Sequence, residues 1–127
     1  MIELKDLHKV YKTKDGQKVE ALKGITVTLP DRGLVFILGK SGSGKSTFLN
    51  VVGGLDTFDS GDLILFGKSS KSFNSTDFNA YRNKYIGFIF QEYNIINSFT
   101  VHDNVSLAYE LKYGKNNEDK LLTDCYY

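Results

Sequence analysis

A glycine-rich segment at residues 39–46, GKSGSGKS, holds the side chains of this sequence that are best suited to chemistry. It fits the pattern G-x-x-x-x-G-K-[ST] at every required position. Glycine has no Cβ, so the backbone at positions 39, 42 and 44 can bend until successive N–H groups converge on phosphate oxygens. Lys45 supplies a positive charge for the β- and γ-phosphates, and Ser46 offers a hydroxyl to Mg²⁺. The residues predicted to bind a nucleotide here are Gly39, Ser41, Gly42, Ser43, Gly44, Lys45, Ser46 and Thr47.

The elements on either side of this loop are those that a phosphate-binding loop needs. Residues 34–38, LVFIL, are uninterrupted and apolar, which predicts a strand buried on both faces. The apolar residues of 48–52 predict a helix that starts near Lys45 and ends at the glycine pair 53–54. Such a helix would add its positive N-terminal end to the anion site. The alternative without nucleotide binding is a glycine- and serine-rich surface loop that matches the pattern by chance.

The remaining sequence patterns predict a mixture of helices and strands. Residues 2–10 and 19–29 predict an antiparallel hairpin with one solvated face, joined by a turn at 14–17. Further strands are predicted at 63–66 and 86–90, and a short helix at 75–84. Thr100 and Asp103 resemble a capping box that opens a helix. The side chains of that helix predicted to face inward are Val101, Val105, Ala108 and Leu111, and one more helical turn is predicted at 120–124.

Composition narrows the class of protein. A chain of 127 residues is one domain or less, and 41% hydrophobic residues exclude bulk disorder. The net charge of +1 gives no argument for a nucleic-acid partner, so we predict none. Cys125 is the single cysteine and cannot form an internal disulfide, as is typical of a reducing compartment. No apolar run approaches the ~20 residues of a membrane helix, and the charged N-terminus lacks a signal-peptide pattern. We therefore expect a soluble cytosolic segment.

Two other classes of nucleotide-binding protein do not match. A small GTPase needs an Asp-x-x-Gly element, and no aspartate of this chain has glycine three residues later. It also needs Asn-Lys-x-Asp, whereas residues 83–86 read NKYI. A dinucleotide fold requires G-x-G-x-x-G, but the string that begins at Gly42 ends in Thr47.

Seven motifs together carry a resemblance to a known family. They are VYK at 10–12, ALKGI at 21–25, the glycine-rich loop at 39–46, GGLD at 53–56 with SG at 60–61, YRN at 81–83, IGFIFQ at 86–91 and FTVHDNV at 99–105. Over residues 2–113 the chain resembles the N-terminal half of an ABC transporter ATP-binding domain. It is similar to the branch that exports lipoproteins, macrolides or antimicrobial peptides through FtsX-like permeases. The resemblance implies an α/β fold: an ABC-type P-loop NTPase core begun by an N-terminal antiparallel β subdomain.

The resemblance also implies roles for two residues outside the loop. Tyr11 matches the aromatic residue that stacks on adenine. The alternative is a purely structural role, in which the ring packs internally in the hairpin. Gln91 matches the Q-loop glutamine that reaches Mg²⁺ and the attacking water; without the family pattern it would be an ordinary polar strand end. The implied catalytic residues are thus Lys45 and Gln91, and the implied Mg²⁺ ligands are Ser46 and Gln91. Residues 92–100 would face the coupling helix of the permease.

The implied function is ATP binding and hydrolysis that drives export through an FtsX-like permease, fused or separate. Implied partners are ATP, Mg²⁺ and a second ATP-binding domain in a head-to-tail dimer, at the cytoplasmic face of the plasma membrane. The chain contains no Leu-Ser-Gly-Gly-Gln signature and no Walker B string of four apolar residues followed by Asp. We therefore expect residues 1–127 to be the N-terminal portion of one such domain, truncated before both motifs and lacking turnover alone. The alternative is a short non-hydrolysing nucleotide-binding or regulatory fragment.

Overall fold

The computed structural model describes residues 1–92 and 94–113, apart from the side chain of residue 112. The chain forms two compact units, divided between Arg82 and Asn83. The predicted helical turn at 120–124 lies outside the described residues. The elements are β1 (Ile2–Lys12), β2 (Lys18–Leu29), α1 (Lys45–Val52), β3 (Ser60–Leu65), β4 (Lys68–Ser69), a 3₁₀ turn (Ser70–Ser72), α2 (Ser75–Tyr85) and α3 (Val101–Tyr113).

The predicted hairpin is confirmed as β1 and β2, which pair antiparallel from Ile2↔Leu29 to Lys12↔Lys18. Its turn closes where the Thr13 N–H donates to the Gln17 carbonyl at 2.8 Å. β1 also pairs antiparallel with β3, and β3 with β4, so the sheet order is β2-β1-β3-β4. β1 and β3 therefore each lie between two neighbours, and β2 and β4 form the edges of this sheet.

The core of the first unit lies between this sheet and α1. Leu4 of β1 is opposite Leu63 of β3, and directly opposite residues point to the same face of a sheet. Both side chains are buried, with 1% or less of their surface exposed. Val51 and Val52 at the end of α1 are buried as well. Each such aliphatic side chain contributes about 1.5–3 kcal/mol when it leaves water.

The predicted helix at 75–84 is confirmed as α2. It begins after reciprocal capping bonds: the Asn74 N–H donates to the Asp77 carboxylate at 2.9 Å, and the Asp77 N–H to the Asn74 side-chain oxygen at 3.0 Å. Tyr81 of α2 is buried, and its hydroxyl donates to the Val52 carbonyl at 2.9 Å. Burial raises the pKa of Tyr81 to about 12. This hydrogen bond joins α2 to the end of α1.

The predictions of strands at residues 34–38 and 86–90 are wrong. Neither residues 34–38 nor residues 86–90 form a strand. Leu34 and Phe36 are 78% and 75% exposed, and Ile89 is fully exposed. A strand exists only where another strand accepts its N–H groups and donates to its carbonyls, and no described strand lies beside either segment. An apolar run indicates a preference for burial but cannot supply the neighbouring strand.

The third predicted helix is confirmed as α3, but the prediction of its inward face is wrong. The Thr100 hydroxyl donates to the Asp103 carboxylate at 2.7 Å, and the Asp103 N–H donates to the Thr100 hydroxyl at 3.1 Å. The capping box is therefore confirmed. The side chains expected to be buried, Val101, Val105, Ala108 and Leu111, are exposed. Periodicity identifies an apolar face, but a second surface must cover it before it is buried.

Candidate functional site

The glycine-rich loop ends directly against the hairpin. Gly42 and Gly44 have φ of 76° and 89°, the left-handed conformation that L side chains rarely adopt. A Cβ at Gly44 would also collide with the backbone carbonyl of Ala21 in β2. Glycine at position 44 therefore lets the start of α1 approach β2 closely, which places the loop at one end of the hairpin.

The N-terminus of α1 is open to an anion. Gly44 is its N-cap and provides no side chain to accept a hydrogen bond from the first turn. The first bond within the helix joins the Phe48 N–H to the Gly44 carbonyl at 2.8 Å. The preceding N–H groups and the positive end of the helix dipole thus face the loop, an arrangement that favours phosphate.

Lys45 brings its ammonium group into the loop. Its Nζ donates to the carbonyls of Gly39 and Lys40 at 2.8 and 2.7 Å, and to the Ser43 hydroxyl at 3.5 Å. Residues 39–43 and Ser46 are exposed, while Lys45 is half-buried. A phosphate entering from solvent would therefore meet a positive charge that the loop already holds in place.

Tyr11 lies near this loop, although it belongs to β1. The Thr47 side chain, in the first turn of α1, lies close enough to act on the pKa of Tyr11, in the lowering direction. The Tyr11 hydroxyl donates to Oδ2 of Asp56 at 2.6 Å. Burial and, second, the hydrogen bond to Asp56 raise the pKa of Tyr11. Tyr11 remains 38% exposed, so the residue predicted to meet a base is partly accessible.

Two residues of this site were missed by sequence reasoning, Lys9 and Asp56. The Lys9 ammonium donates to Oδ1 of Asp56 at 2.9 Å and lies 5.1 Å from the centroid of the Tyr11 ring. The Lys9 side chain is only 9% exposed, which is rare for lysine unless it is paired. Burial alone would raise the pKa of Asp56, but hydrogen bonds from Tyr11 and Lys9 outweigh it and hold that pKa below its ordinary value. The sequence offered one signal: Lys9 and Tyr11 are two residues apart on one strand.

The structure brings the loop residues and Tyr11 together in the first unit, whereas Gln91 belongs to the second. Gln91 lies in a bend after residues 86–90, and its side chain is exposed. Its placement relative to the phosphate loop, and so its role toward Mg²⁺ and water, stays a prediction.

The comparisons with known proteins define the class. Residues 22–124 match the ABC transporter family. The chain therefore belongs to the ABC transporter family, whose ATP-binding cassettes bind ATP and are ATPases. The expected fold class is confirmed: an ABC-type P-loop NTPase core with an N-terminal antiparallel β subdomain.

Individual proteins are similar to this chain over most of its length. The bacitracin export ATP-binding protein BceA of Halalkalibacterium halodurans is 38% identical over 84% of this chain and 42% of its own length. The lipoprotein-releasing system ATP-binding protein LolD of Alcanivorax borkumensis is 36% identical over 84% of this chain and 46% of its own length. The dimeric post-hydrolysis structure of the ATP-binding cassette MJ0796, bound to ADP and Pi, superposes with a TM-score of 0.86 at 31% identity, over 99% of this chain and 54% of that chain. The chain thus spans about half the length of these relatives or less.

Proposed function

We propose that Gly39 and residues 41–47 bind the phosphates of ATP and that, in the complete protein, ATP hydrolysis drives export through an FtsX-like membrane permease. The observation that carries this proposal is the loop geometry. The Lys45 ammonium, held by the Gly39 and Lys40 carbonyls, and the uncapped start of α1 face the same solvent-exposed loop. Residues 1–127 would form the N-terminal portion of one ATP-binding domain, which the 54% coverage of MJ0796 supports.

Each residue of the proposed site has a chemical role. Lys45 neutralises charge on the β- and γ-phosphates, and the Ser46 hydroxyl binds Mg²⁺. Gln91 completes the Mg²⁺ ligands and positions the attacking water. Tyr11 stacks on the base, where an aromatic ring accepts any purine with little hydrogen-bond readout. The backbone amides that line the phosphates belong to Gly39, Ser41, Gly42, Ser43, Gly44 and Thr47.

The permease and a second cassette are the proposed protein partners. BceA and LolD are named for bacitracin export and lipoprotein release, which supports export through a membrane protein, fused or separate. The MJ0796 structures are dimers, which supports head-to-tail pairing of two ATP-binding domains. Among the described residues, no helix is long and apolar enough to cross a bilayer. The proposed location is the cytoplasmic face of the membrane, with residues 92–100 toward the permease.

Binding of Mg-ATP to Lys45→Ala tests the site directly. We expect an affinity loss of at least about tenfold, because the variant removes a charged hydrogen-bond donor from the phosphates. Lys40→Ala is the matched control, since it removes a lysine of the same loop whose side chain is exposed. Isothermal titration of the 127-residue chain measures both. Equal affinity of the Lys45 variant and the wild type would contradict the assignment.

A second candidate function is nucleotide binding without hydrolysis, as in a regulatory fragment. Within residues 1–127 neither Leu-Ser-Gly-Gly-Gln nor a Walker B carboxylate occurs. These groups complete the electrostatic clamp and activate water, so turnover without them should fall by orders of magnitude. Phosphate release from Mg-ATP by the 127-residue chain, with Lys45→Ala as background, separates the two functions. Lysine-dependent release at the rate of an intact transporter would exclude the second.

A further inference from the structure

We propose that Asp56, together with Lys9, is a positioning residue that fixes the Tyr11 ring for stacking on the nucleotide base. The inference rests on the proposed nucleotide function and adds a structural cause for it. Without such a support, an exposed tyrosine near the end of a hairpin would rotate freely about its side-chain torsions. Ordering the tyrosine side chain on binding would then cost conformational entropy and lower the affinity for the nucleotide.

The Asp56 carboxylate uses both of its oxygens. Oδ2 accepts the Tyr11 hydroxyl at 2.6 Å, and Oδ1 accepts the Lys9 ammonium at 2.9 Å. Oδ1 also accepts the Thr57 N–H at 2.7 Å. Hydrogen bonds to a charged acceptor are about twice as strong as neutral ones, so this carboxylate holds the tip of the tyrosine firmly.

Lys9 acts on the same ring from a second direction. Its ammonium lies over the Tyr11 ring, 5.1 Å from the centroid, within the range of a cation–π interaction. The lysine side chain is itself almost fully buried, which restricts its own movement. The ring is therefore held at its hydroxyl and over its face, while 38% of the residue stays exposed to a ligand.

The segment that carries Asp56 is attached to α1, the helix that follows the phosphate loop. The Leu55 and Asp56 N–H groups both donate to the Asn50 carbonyl, at 2.8 and 3.1 Å. Because α1 starts at the phosphate loop, the position of Asp56 is set by the same helix that would bind the phosphates.

The segment is also attached to β1, on both sides of Lys9. The Asp59 N–H donates to the His8 carbonyl at 2.9 Å, and the Asp59 carboxylate accepts the Val10 N–H at 2.6 Å. These bonds reach only the backbone of β1 and not the Tyr11 ring. Asp59 and Asp56 thus tether one loop to one strand, but only Asp56 holds the aromatic side chain.

The test compares a ligand that has a base with one that has none. Mg-ATP and Mg-tripolyphosphate are titrated into the 127-residue chain, and the ratio of their affinities measures the contribution of base and ribose. We expect Asp56→Asn to weaken Mg-ATP by about threefold to tenfold, the cost of ordering one side chain, and to leave Mg-tripolyphosphate unchanged. Asp59→Asn is the matched control and should keep the wild-type ratio.

Tyr11→Phe tests the same hydrogen bond from the other side and leaves the Lys9–Asp56 ion pair intact. It should reduce the ratio by no more than Asp56→Asn does, because Lys9 still lies over the ring, and the double variant should show no loss beyond that of Asp56→Asn. Equal weakening of both ligands by Asp56→Asn, an unchanged ratio, or the same effect from Asp59→Asn would each overturn the inference. Failure of the proposed function looks different: the wild type would then bind neither ligand, or would bind both independently of Lys45, and the inference would fall with it.

Discussion

β1 and the segment at residues 34–38 differ in the opposite sense to their compositions. The more polar segment forms a strand, and the wholly apolar one does not. β1, IELKDLHKVYK, carries five lysine, aspartate or glutamate residues and yet is an inner strand of the sheet, paired on both sides. Residues 34–38, LVFIL, contain no polar side chain, and they form no strand. β1 has a hydrogen-bonded neighbour on each side, whereas no described strand lies beside the other segment. The comparison shows that hydrogen-bonded neighbouring strands, more than apolar content, decide whether a segment forms a strand.

The largest expected effect comes from truncating a leucine on each side of this comparison. Leu4→Ala should lower the free energy of unfolding by about 2–5 kcal/mol, because Leu4 is 1% exposed and its removal leaves a cavity. Leu34→Ala should cost less than about 0.5 kcal/mol, because Leu34 is 78% exposed. Urea denaturation of both variants measures the difference. A loss of several kcal/mol in the Leu34 variant would show that residues 34–38 are packed in solution.

Two glycines, one where α1 approaches the hairpin and one just before residues 34–38, give the next effect. Gly44→Ala should cost about 2–3 kcal/mol, because it strains a left-handed residue and forces a Cβ against the Ala21 carbonyl of β2. Gly33→Ala, just before residues 34–38, should cost about 1 kcal/mol, since its φ is 110° but its Cβ would meet nothing within 4 Å. Thermal or urea unfolding compares them. Equal losses would mean that the close approach of α1 to β2 is absent.

The smallest expected effect is a pH dependence confined to the hairpin. His8 of β1 contacts the Glu20 carboxylate of β2 at 2.9 Å and the Asp6 carboxylate at 3.2 Å. The hydrogen bond to Glu20 and then that to Asp6 raise the pKa of His8 above its ordinary value of 6.5. Folding therefore favours the protonated ring, so its contribution is complete below the ordinary pKa and is lost as the pH rises through the folded pKa.

Unfolding by urea at about pH 6 and about pH 8.5 checks this sign, because histidine is the side chain that ordinarily titrates in this interval. The wild type should be more stable at the lower pH than His8→Gln, with the gap closing at the higher pH. A gap that widens with rising pH would contradict the arrangement of His8 between the two carboxylates.

Local chemistry explains what sequence reasoning predicted well. The hairpin turn, the start of α1 after Gly44 and the Thr100–Asp103 capping box are each decided within about five residues, by glycine conformations and by short-range hydrogen bonds. The phosphate loop belongs to the same group, because its chemistry lies in eight consecutive residues. Such features are visible in a sequence, since the interacting groups are neighbours along the chain.

Features between distant residues were predicted poorly. The exposed apolar face of α3 shows that periodicity does not reveal whether a second surface covers it. The ion pair of Lys9 with Asp56 joins residues 47 positions apart, so neither residue alone marked the site. Tyr11 could be assigned to a base only through the family pattern, and its hydrogen bond to Asp56 appears only in the folded chain.

The sequence by itself therefore indicated the phosphate loop, through glycine, lysine and serine at fixed spacing, and the class of protein, through the seven motifs that carry the family resemblance. Tertiary structure alone decided which apolar segments became strands and which polar side chains support Tyr11. The physical reason is that a backbone ladder or a buried ion pair needs two partners. The pairing of Asp56 with Lys9 and Tyr11 exists only once α1 and β1 hold the loop at residues 55–59 between them.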